Sequence, residues 1–378
     1  MSVDKIPVGK FWRTQPIRLC EGIPDGAIEP IGKEIRAIPY DLPTEFAWVS
    51  YDVNYPAQLD EIYHLLSEHY VADDKFRLTY SKDFLRWALC PPGYVPDLHL
   101  GVKCGSKLIG FISAVPVNIC VKSEPIKIVE INFLCVRSDV RAHRLTPVLI
   151  MEITRRSNLM GIFQAVYTAG VEIPTPVART QYFHRMLNPK KLIDSGFSCV
   201  GPRQTMSSII RSHHLKPNPT GQWRPLRPAD WVGASELLEN YLEKFSLRMK
   251  FALDEFAYWF QPRDQIIYSY VVEDADKITD LCSFYAVPSV TLNNSIQINT
   301  AYAWYNVATS MSLGDLISDL LILAKNEGFD VFNCLDIHDN KSFLSDLKFE
   351  PGTGHLKYYL YNWATSEMKP EEVGIVLL

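Results

Sequence analysis

Two hydrophobic spacings alternate along the chain, and the order in which they occur is repeated. Apolar residues recur three and four apart from Ala57 to Tyr70 and from Ser81 to Leu89, which predicts two helices. Runs rich in β-branched and aromatic residues at Leu98 to Lys103, Leu108 to Val115 and Ile126 to Val136 predict strands. A helix from Pro147 to about Asn158 and a strand from Ile162 to Thr168 follow. Beyond the loop-like stretch LKPNPTGQWRPLRP the same order returns. Helices are expected at Trp231 to Phe245 and Asp254 to Phe260, and strands at Ile266 to Glu273, Thr279 to Val287 and Gln297 to Val307. A helix at Leu313 to Glu327 and a strand at Val331 to Leu335 then close the series.

Local matches fall at one offset. Trp87 in DFLRWAL and Trp259 in EFAYWFQ lie 172 positions apart, and so do SAVP at Ser113 to Pro116 and YAVP at Tyr285 to Pro288. The expected architecture is a duplicated α/β (α+β) unit, with two pseudo-symmetric halves fused into one saddle-shaped mixed sheet flanked by helices. The divisions expected are an amino-terminal arm over 1–40, a first half over 41–215 and a second half over 216–378.

Composition narrows the function. Hydrophobic residues at 47% and charged residues at 21% suit a folded enzyme with ample core. A net charge of -5 argues against nucleic-acid binding, which needs a basic face. Eight cysteines with no C-x-x-C pair and nine histidines without metal-ligand spacing support neither zinc nor a disulfide framework. Free thiols, no secretory apolar core and no apolar run of membrane-spanning length lead to the expectation of a cytoplasmic protein without a transmembrane segment.

One loop suggests anion chemistry. A long strand runs into RSDVRAHR, and Thr146-Pro147 then reads as a helix N-cap followed by proline at the first helical position. Main-chain N–H groups at a helix start, with Arg141 and Arg144 beside them, suit a pyrophosphate. Taken alone, a basic loop before a helix is more often a plain solvated turn than a phosphate site. A strand, anion loop, helix and strand in that order form the core of CoA-dependent N-acyltransferases.

The stretch EINFLCVRSDVRAHRLTPVLIMEITRR closely resembles the glycylpeptide N-tetradecanoyltransferases, or N-myristoyltransferases. KFWRTQP, FLRWALCPPGY, YTAG, YFHRMLNPKKL, VFNCLDIHDNKSFLSDLKF, YYLYNW and the terminal VGIVLL continue the likeness, so that it spans Phe11 to Leu378. The resemblance implies a GNAT-like acyltransferase fold and transfer of a tetradecanoyl group from CoA to an N-terminal glycine, without metal. Phe133 and Leu134 would offer main-chain N–H groups to the thioester oxygen, from a strand opened by a local bulge. Donors of that kind are worth roughly 3 to 4 kcal/mol each. Lys10, Phe11, Trp12, Leu134, Val136, Ala142, Arg144, Leu145 and Thr146 would contact tetradecanoyl-CoA. Ala142 stands where relatives often carry serine. Asp73, Asp74, Tyr80, Thr168, Gly170, Tyr182, His184, Phe197, Ser283 and Tyr305 would line the peptide groove, and Asn132 and Thr168 would hold the incoming amine. Taken singly, His184 reads as a structural histidine rather than a groove residue, and only the collective match to the motifs reverses that.

The apolar ending GIVLL reads either as a tucked strand or as a way of placing a carboxylate. A glycine amine arrives mostly as ammonium at neutral pH, and a carboxylate in an apolar channel can attract it and take its proton. In the resembling family that base is the main-chain carboxylate of the last residue, which falls here on Leu378. Two departures weaken the expected preference for a downstream lysine. Thr353 replaces an aspartate in EPGTG, where Glu350 is a candidate substitute, and the acidic loop after Tyr70 is short. The family's basic extension, linked to ribosomes and nascent chains, is not among the roughly ten residues before Phe11. A monomer is expected. The alternatives are another CoA-dependent N-acyltransferase and a non-catalytic acyl-CoA or lipopeptide-binding protein.

Overall fold

In the computed structural model, residues 9–19, 22–29, 34–70, 76–293 and 295–378 are described. Asp73 and Asp74 lie outside them. Fourteen strands among the described residues form one mixed sheet. Along its main path the strands run Val373–Gly374, Leu247–Met249, Lys107–Val121, Glu124–Val136, Ala165–Ala169, Glu350–Tyr361, Ala178–Met186, Val331–Leu335, Thr300–Ala303, Lys277–Ala286, Ile267–Asp274 and Arg224–Pro225. His99–Cys104 branches off beside Lys107–Val121 and carries Phe46–Ser50 at its outer edge.

The expected duplication is visible in the pairing. Glu124–Val136 runs parallel to Ala165–Ala169, and Thr300–Ala303 runs parallel to Val331–Leu335. Between these two parallel pairs the strands Glu350–Tyr361 and Ala178–Met186 lie antiparallel to each other, each also bonded to the neighbouring pair. Trp87 and Trp259, related by the sequence repeat, touch edge to face with ring centroids 5.0 Å apart. The Tyr258 hydroxyl donates to the Trp87 carbonyl at 2.9 Å, so the two helix ends are tied as well as packed.

Helices cover both faces of the first-half sheet because each presents an apolar stripe. Pro56–His69 and Lys82–Leu89 bury Leu59, Ile62, Leu66, Phe84 and Leu85 on one face. Leu145–Leu159 buries Leu149 and Ile153 on the other, where Gly110 admits it closely: a Cβ there would lie 3.2 Å from the Leu149 side chain.

Two local expectations need correction. The helix at 145 starts one turn-step earlier than Thr146 implies. Arg144 is its N-cap, left-handed at φ 53° and without a side-chain cap, so Thr146 and Pro147 sit inside the first turn. Proline is tolerated there because the first N–H groups of a helix have no intrahelical partner. The strand expected from Gln297 to Val307 is broken: Gln297–Ile298 pairs in a small separate sheet, and Thr300–Ala303 joins the main one. Among the described residues no helix is long and apolar enough to cross a membrane, and no cluster of ligating side chains could hold a metal.

Candidate active site

The strand Glu124–Val136 pairs regularly with Lys107–Val121 from Val121↔Glu124 to Ser113↔Asn132, then resumes at Phe111↔Cys135. Phe133 and Leu134 therefore stand opposite one residue, Ile112, which makes a bulge on this strand. Phe133 is left-handed at φ 53°, a conformation that costs a bulky side chain about 1 kcal/mol or more. Packing holds it there: its buried ring sits 5.7 Å from the rings of both Tyr70 and Tyr80.

Asn132 spans the bulge and the chain end. Its Oδ1 accepts the Phe133 N–H at 2.9 Å, and its Nδ2 donates to the Leu378 oxygen at 2.7 Å. The tail is delivered to that point by a series of fixed contacts. Val373–Gly374 runs parallel to Leu247–Met249, and Gly374 is pressed against Phe245 so closely that a Cβ would lie 2.7 Å from its side chain. The Tyr358 hydroxyl donates to the Ile375 carbonyl, and the Val376 N–H donates to the Tyr305 hydroxyl, both at 3.1 Å. Ile375, Val376 and Leu377 are buried in the core, while Leu378 is partly open.

Glu130, two residues before Asn132 on the same strand face, was not singled out by sequence reasoning. The Leu378 N–H and the Asn132 side-chain amide donate toward its carboxyl, but burial dominates and pushes it up to about 7. The available signal was a lone acid inside the apolar run IVEINFLCV.

These groups open onto a cavity of about 1630 Å³. Its apolar lining includes Ile112, Val129, Ile131, Ile150, Ile153 and Ile162, all of one core cluster or packed against it. Its aromatic lining includes Tyr80, Tyr182, Tyr285, Tyr302, His184 and Phe197. Asn132, Phe133, Leu134, Thr168 and Leu378 line the same cavity. Burial raises the Tyr80, Tyr182 and Tyr285 phenols well above their ordinary range, so they remain neutral donors. His184 Nδ1 meets Asn333 Oδ1 at 2.7 Å, which makes Nδ1 the protonated nitrogen. The ring rests on Gly352, where a Cβ would come within 2.1 Å of Nε2.

Most of the residues expected from sequence line this cavity, with Trp12, Val136, Thr146 and Gly170 among them. Others stand elsewhere. Lys10 and Arg144 are exposed, Phe11 packs on Trp12 at 5.1 Å, Leu145 is in the core, and Ala142 lies in the 3-10 turn Ser138–His143. Ser283 and Tyr305 are sealed off beneath the wall. The Ser283 hydroxyl donates to the Tyr305 carbonyl at 2.7 Å, and the Tyr305 hydroxyl accepts the Val376 N–H at 3.1 Å. Thr353 is at the cavity, whereas Glu350 pairs in register with His184 without lining it.

A duplicated mixed sheet, a strand bulge beside a large cavity and the last residue of the chain at the same point are the arrangement of an acyltransferase. Residues 28–180 match the family described as Myristoyl-CoA:protein N-myristoyltransferase, N-terminal domain, and residues 194–376 match its C-terminal domain. The chain belongs to that family. It is 47% identical to glycylpeptide N-tetradecanoyltransferase 1 of Arabidopsis thaliana, over 100% of this chain and 91% of that protein. It is 44% identical to the glycylpeptide N-tetradecanoyltransferase of Plasmodium falciparum, over 99% and 95%. A solved Saccharomyces cerevisiae N-myristoyltransferase with bound myristoyl-CoA superposes with a TM-score of 0.93 at 38% identity, covering 98% of this chain and 99% of that one.

Proposed function

We propose that this protein transfers a tetradecanoyl group from tetradecanoyl-CoA to the α-amine of an N-terminal glycine. The observation that carries the reading is the Asn132–Leu378 hydrogen bond at the bulge, on a cavity with both apolar and aromatic linings. The acyl chain lies along the isoleucine lining, and its roughly thirteen carbons beyond the carbonyl bring about 10 kcal/mol gross at ~0.8 per methylene. Arg141, Arg144 and the helix start at Leu145 receive the CoA phosphates. The thioester oxygen takes the N–H groups of Phe133 and Leu134, the former in competition with Asn132 Oδ1.

The peptide enters along the aromatic lining with its amine between Asn132, Thr168 and Leu378. The ammonium gives one proton to the Leu378 carboxylate, and its freed lone pair attacks the thioester carbon. As the C–N bond forms, negative charge collects on the oxygen facing the bulge amides. The C–S bond then breaks, the electron pair leaves on the CoA sulfur, and the remaining excess proton on nitrogen passes to that thiolate.

Incubation with tetradecanoyl-CoA and a Gly-initiated peptide, read by intact mass, tests the reaction. A chain extended by a few residues beyond Leu378 tests the base, because the carboxylate becomes a neutral amide. The native chain should add one tetradecanoyl group, while the extended one should bind tetradecanoyl-CoA and transfer about a hundredfold more slowly or worse. Native-rate transfer by the extended chain overturns the role of Leu378.

A further inference from the structure

The last residue of the helix Pro56–His69 stands on the cavity beside the basic loop, and the reaction above gives it no task. His69 lines the cavity together with Arg141. The Arg141 guanidinium is held against it, donating through Nη2 to the His69 carbonyl and through Nε to the Val136 carbonyl, both at 3.4 Å. Neither carbonyl cancels a charge, so this cation is spent on no carboxylate among the described residues. It keeps its capacity for a phosphate.

The His69 ring, 13% exposed, lies between charges of both signs. Nδ1 is 3.4 Å from the Ser138 hydroxyl, and Nε2 is 3.4 Å from a Glu68 carboxylate oxygen without the alignment of a hydrogen bond. On the loop, Arg137 grips Asp139 with two hydrogen bonds at 2.9 and 3.1 Å. Glu68, Arg137, Asp139 and Arg141 are the charged groups facing the ring among the described residues. Burial, then Arg137 and Arg141, hold the imidazole below its ordinary range against the pull of the two acids.

We propose that His69 couples acyl-CoA binding to a proton: a CoA phosphate seated on Arg141 draws a proton from solvent onto the imidazole, and affinity for tetradecanoyl-CoA gains from this as the pH falls. The proposal rests on the reading of Arg141 as a phosphate contact. A phosphate offsets the positive charge that opposes the imidazolium, and the Glu68 carboxylate and the helix C-terminus at His69 then favour it as well. At alkaline pH the ring is neutral with or without ligand and contributes nothing. Below its ligand-bound pKa, raised above the free one, it protonates on binding and the contribution appears.

The test is isothermal titration of tetradecanoyl-CoA into the full chain and into His69→Gln from about pH 5.5 to 8.5, in buffers of different ionisation enthalpy. The two proteins should bind alike at the alkaline end, and the native chain about tenfold more tightly at the acid end. Near pH 6.5 the native chain should take up about half a proton more than the variant. A phosphomonoester such as that of CoA itself titrates near pH 6, so the difference between the proteins is the readout, not the native profile alone. S-tetradecanoyl-pantetheine, which has no phosphate, should show neither difference. Overlaid profiles with equal proton uptake overturn the proposal, and so does a difference that persists with the pantetheine thioester. If the glutamine variant does not fold, His69→Asn takes its place in the same titrations. Arg141→Gln separates the two readings. Undiminished affinity there sinks the phosphate contact itself, whereas affinity weakened by about tenfold, beside overlaid native and His69→Gln profiles, sinks only the coupling.

Discussion

Asn132 Nδ2 donates to the Leu378 oxygen at 2.7 Å, joining residues 246 positions apart in the chain. The same side chain accepts the Phe133 N–H at 2.9 Å, so one amide ties the proposed oxyanion donor to the proposed base. Asn132→Leu cuts both links and leaves the isoleucine lining of the cavity intact. Transfer should fall by about a hundredfold, while tetradecanoyl-CoA affinity changes by less than about threefold. Stopped-flow transfer and equilibrium binding on one preparation check the split, and equal losses in both would refute it.

Tyr305 holds the tail at Val376 and is not among the residues that line the cavity. Tyr305→Phe leaves the buried Val376 N–H without its 3.1 Å partner, at a cost of about 1 to 3 kcal/mol. The expected result is a lower kcat at nearly unchanged peptide KM, together with a lower Tm. A rise in KM alone would return Tyr305 to the groove.

His184 depends on a glycine. A Cβ at position 352 would meet Nε2 at 2.1 Å and the Tyr182 carbonyl at 3.2 Å, so Gly352→Ala must displace the ring or the strand. Peptide KM should rise by about tenfold with tetradecanoyl-CoA affinity unchanged. Isothermal titration of each substrate checks this, and unchanged peptide binding would remove His184 from the groove.

Acid stability should reflect buried histidines. Burial pushes His338 down to about 4, against about 6.5 when unfolded, so below that upper value the unfolded chain takes up a proton that the folded chain refuses. The contribution is complete above about pH 6.5 and falls by about 1.4 kcal/mol per pH unit until it is lost near pH 4. Glu130, raised to about 7, acts in the opposite direction over much of the same window, so the native slope is partly cancelled. Denaturant melts of native and His338→Phe protein at several pH values isolate the histidine. The variant should lose less stability on acidification, and parallel slopes would contradict the assignment.

The helices and many of the other strands were legible because their apolar content is clean, as in Leu313–Asn326 and Val331–Leu335. The two central strands were not read. Ala178–Met186 spells ARTQYFHRM, with polar groups on the groove side, and Glu350–Tyr361 opens with Pro351, Gly352 and Gly354, which usually mark a turn. A strand that lines a polar cavity loses the hydrophobic alternation that would reveal it. Within the site, Asn132 and Thr168 were found by resemblance and do line the cavity, whereas Ser283 and Tyr305 lie beneath its wall. Burial depth follows from the bulge and the tail path, which leave no periodic trace in the sequence.

The position of Glu350–Tyr361 in the middle of the sheet bears on how the chain reaches its fold. Until this late segment arrives, Ala165–Ala169 and Ala178–Met186 each lack the strand that lies between them. The sheet is thus completed at its centre rather than at a rim, through contacts nearly two hundred positions apart. Nascent chains shorter than this segment present two open strand edges to the cell, the condition under which mispairing competes with folding. A truncation before residue 350 would therefore produce an unsealed sheet, not a smaller working enzyme.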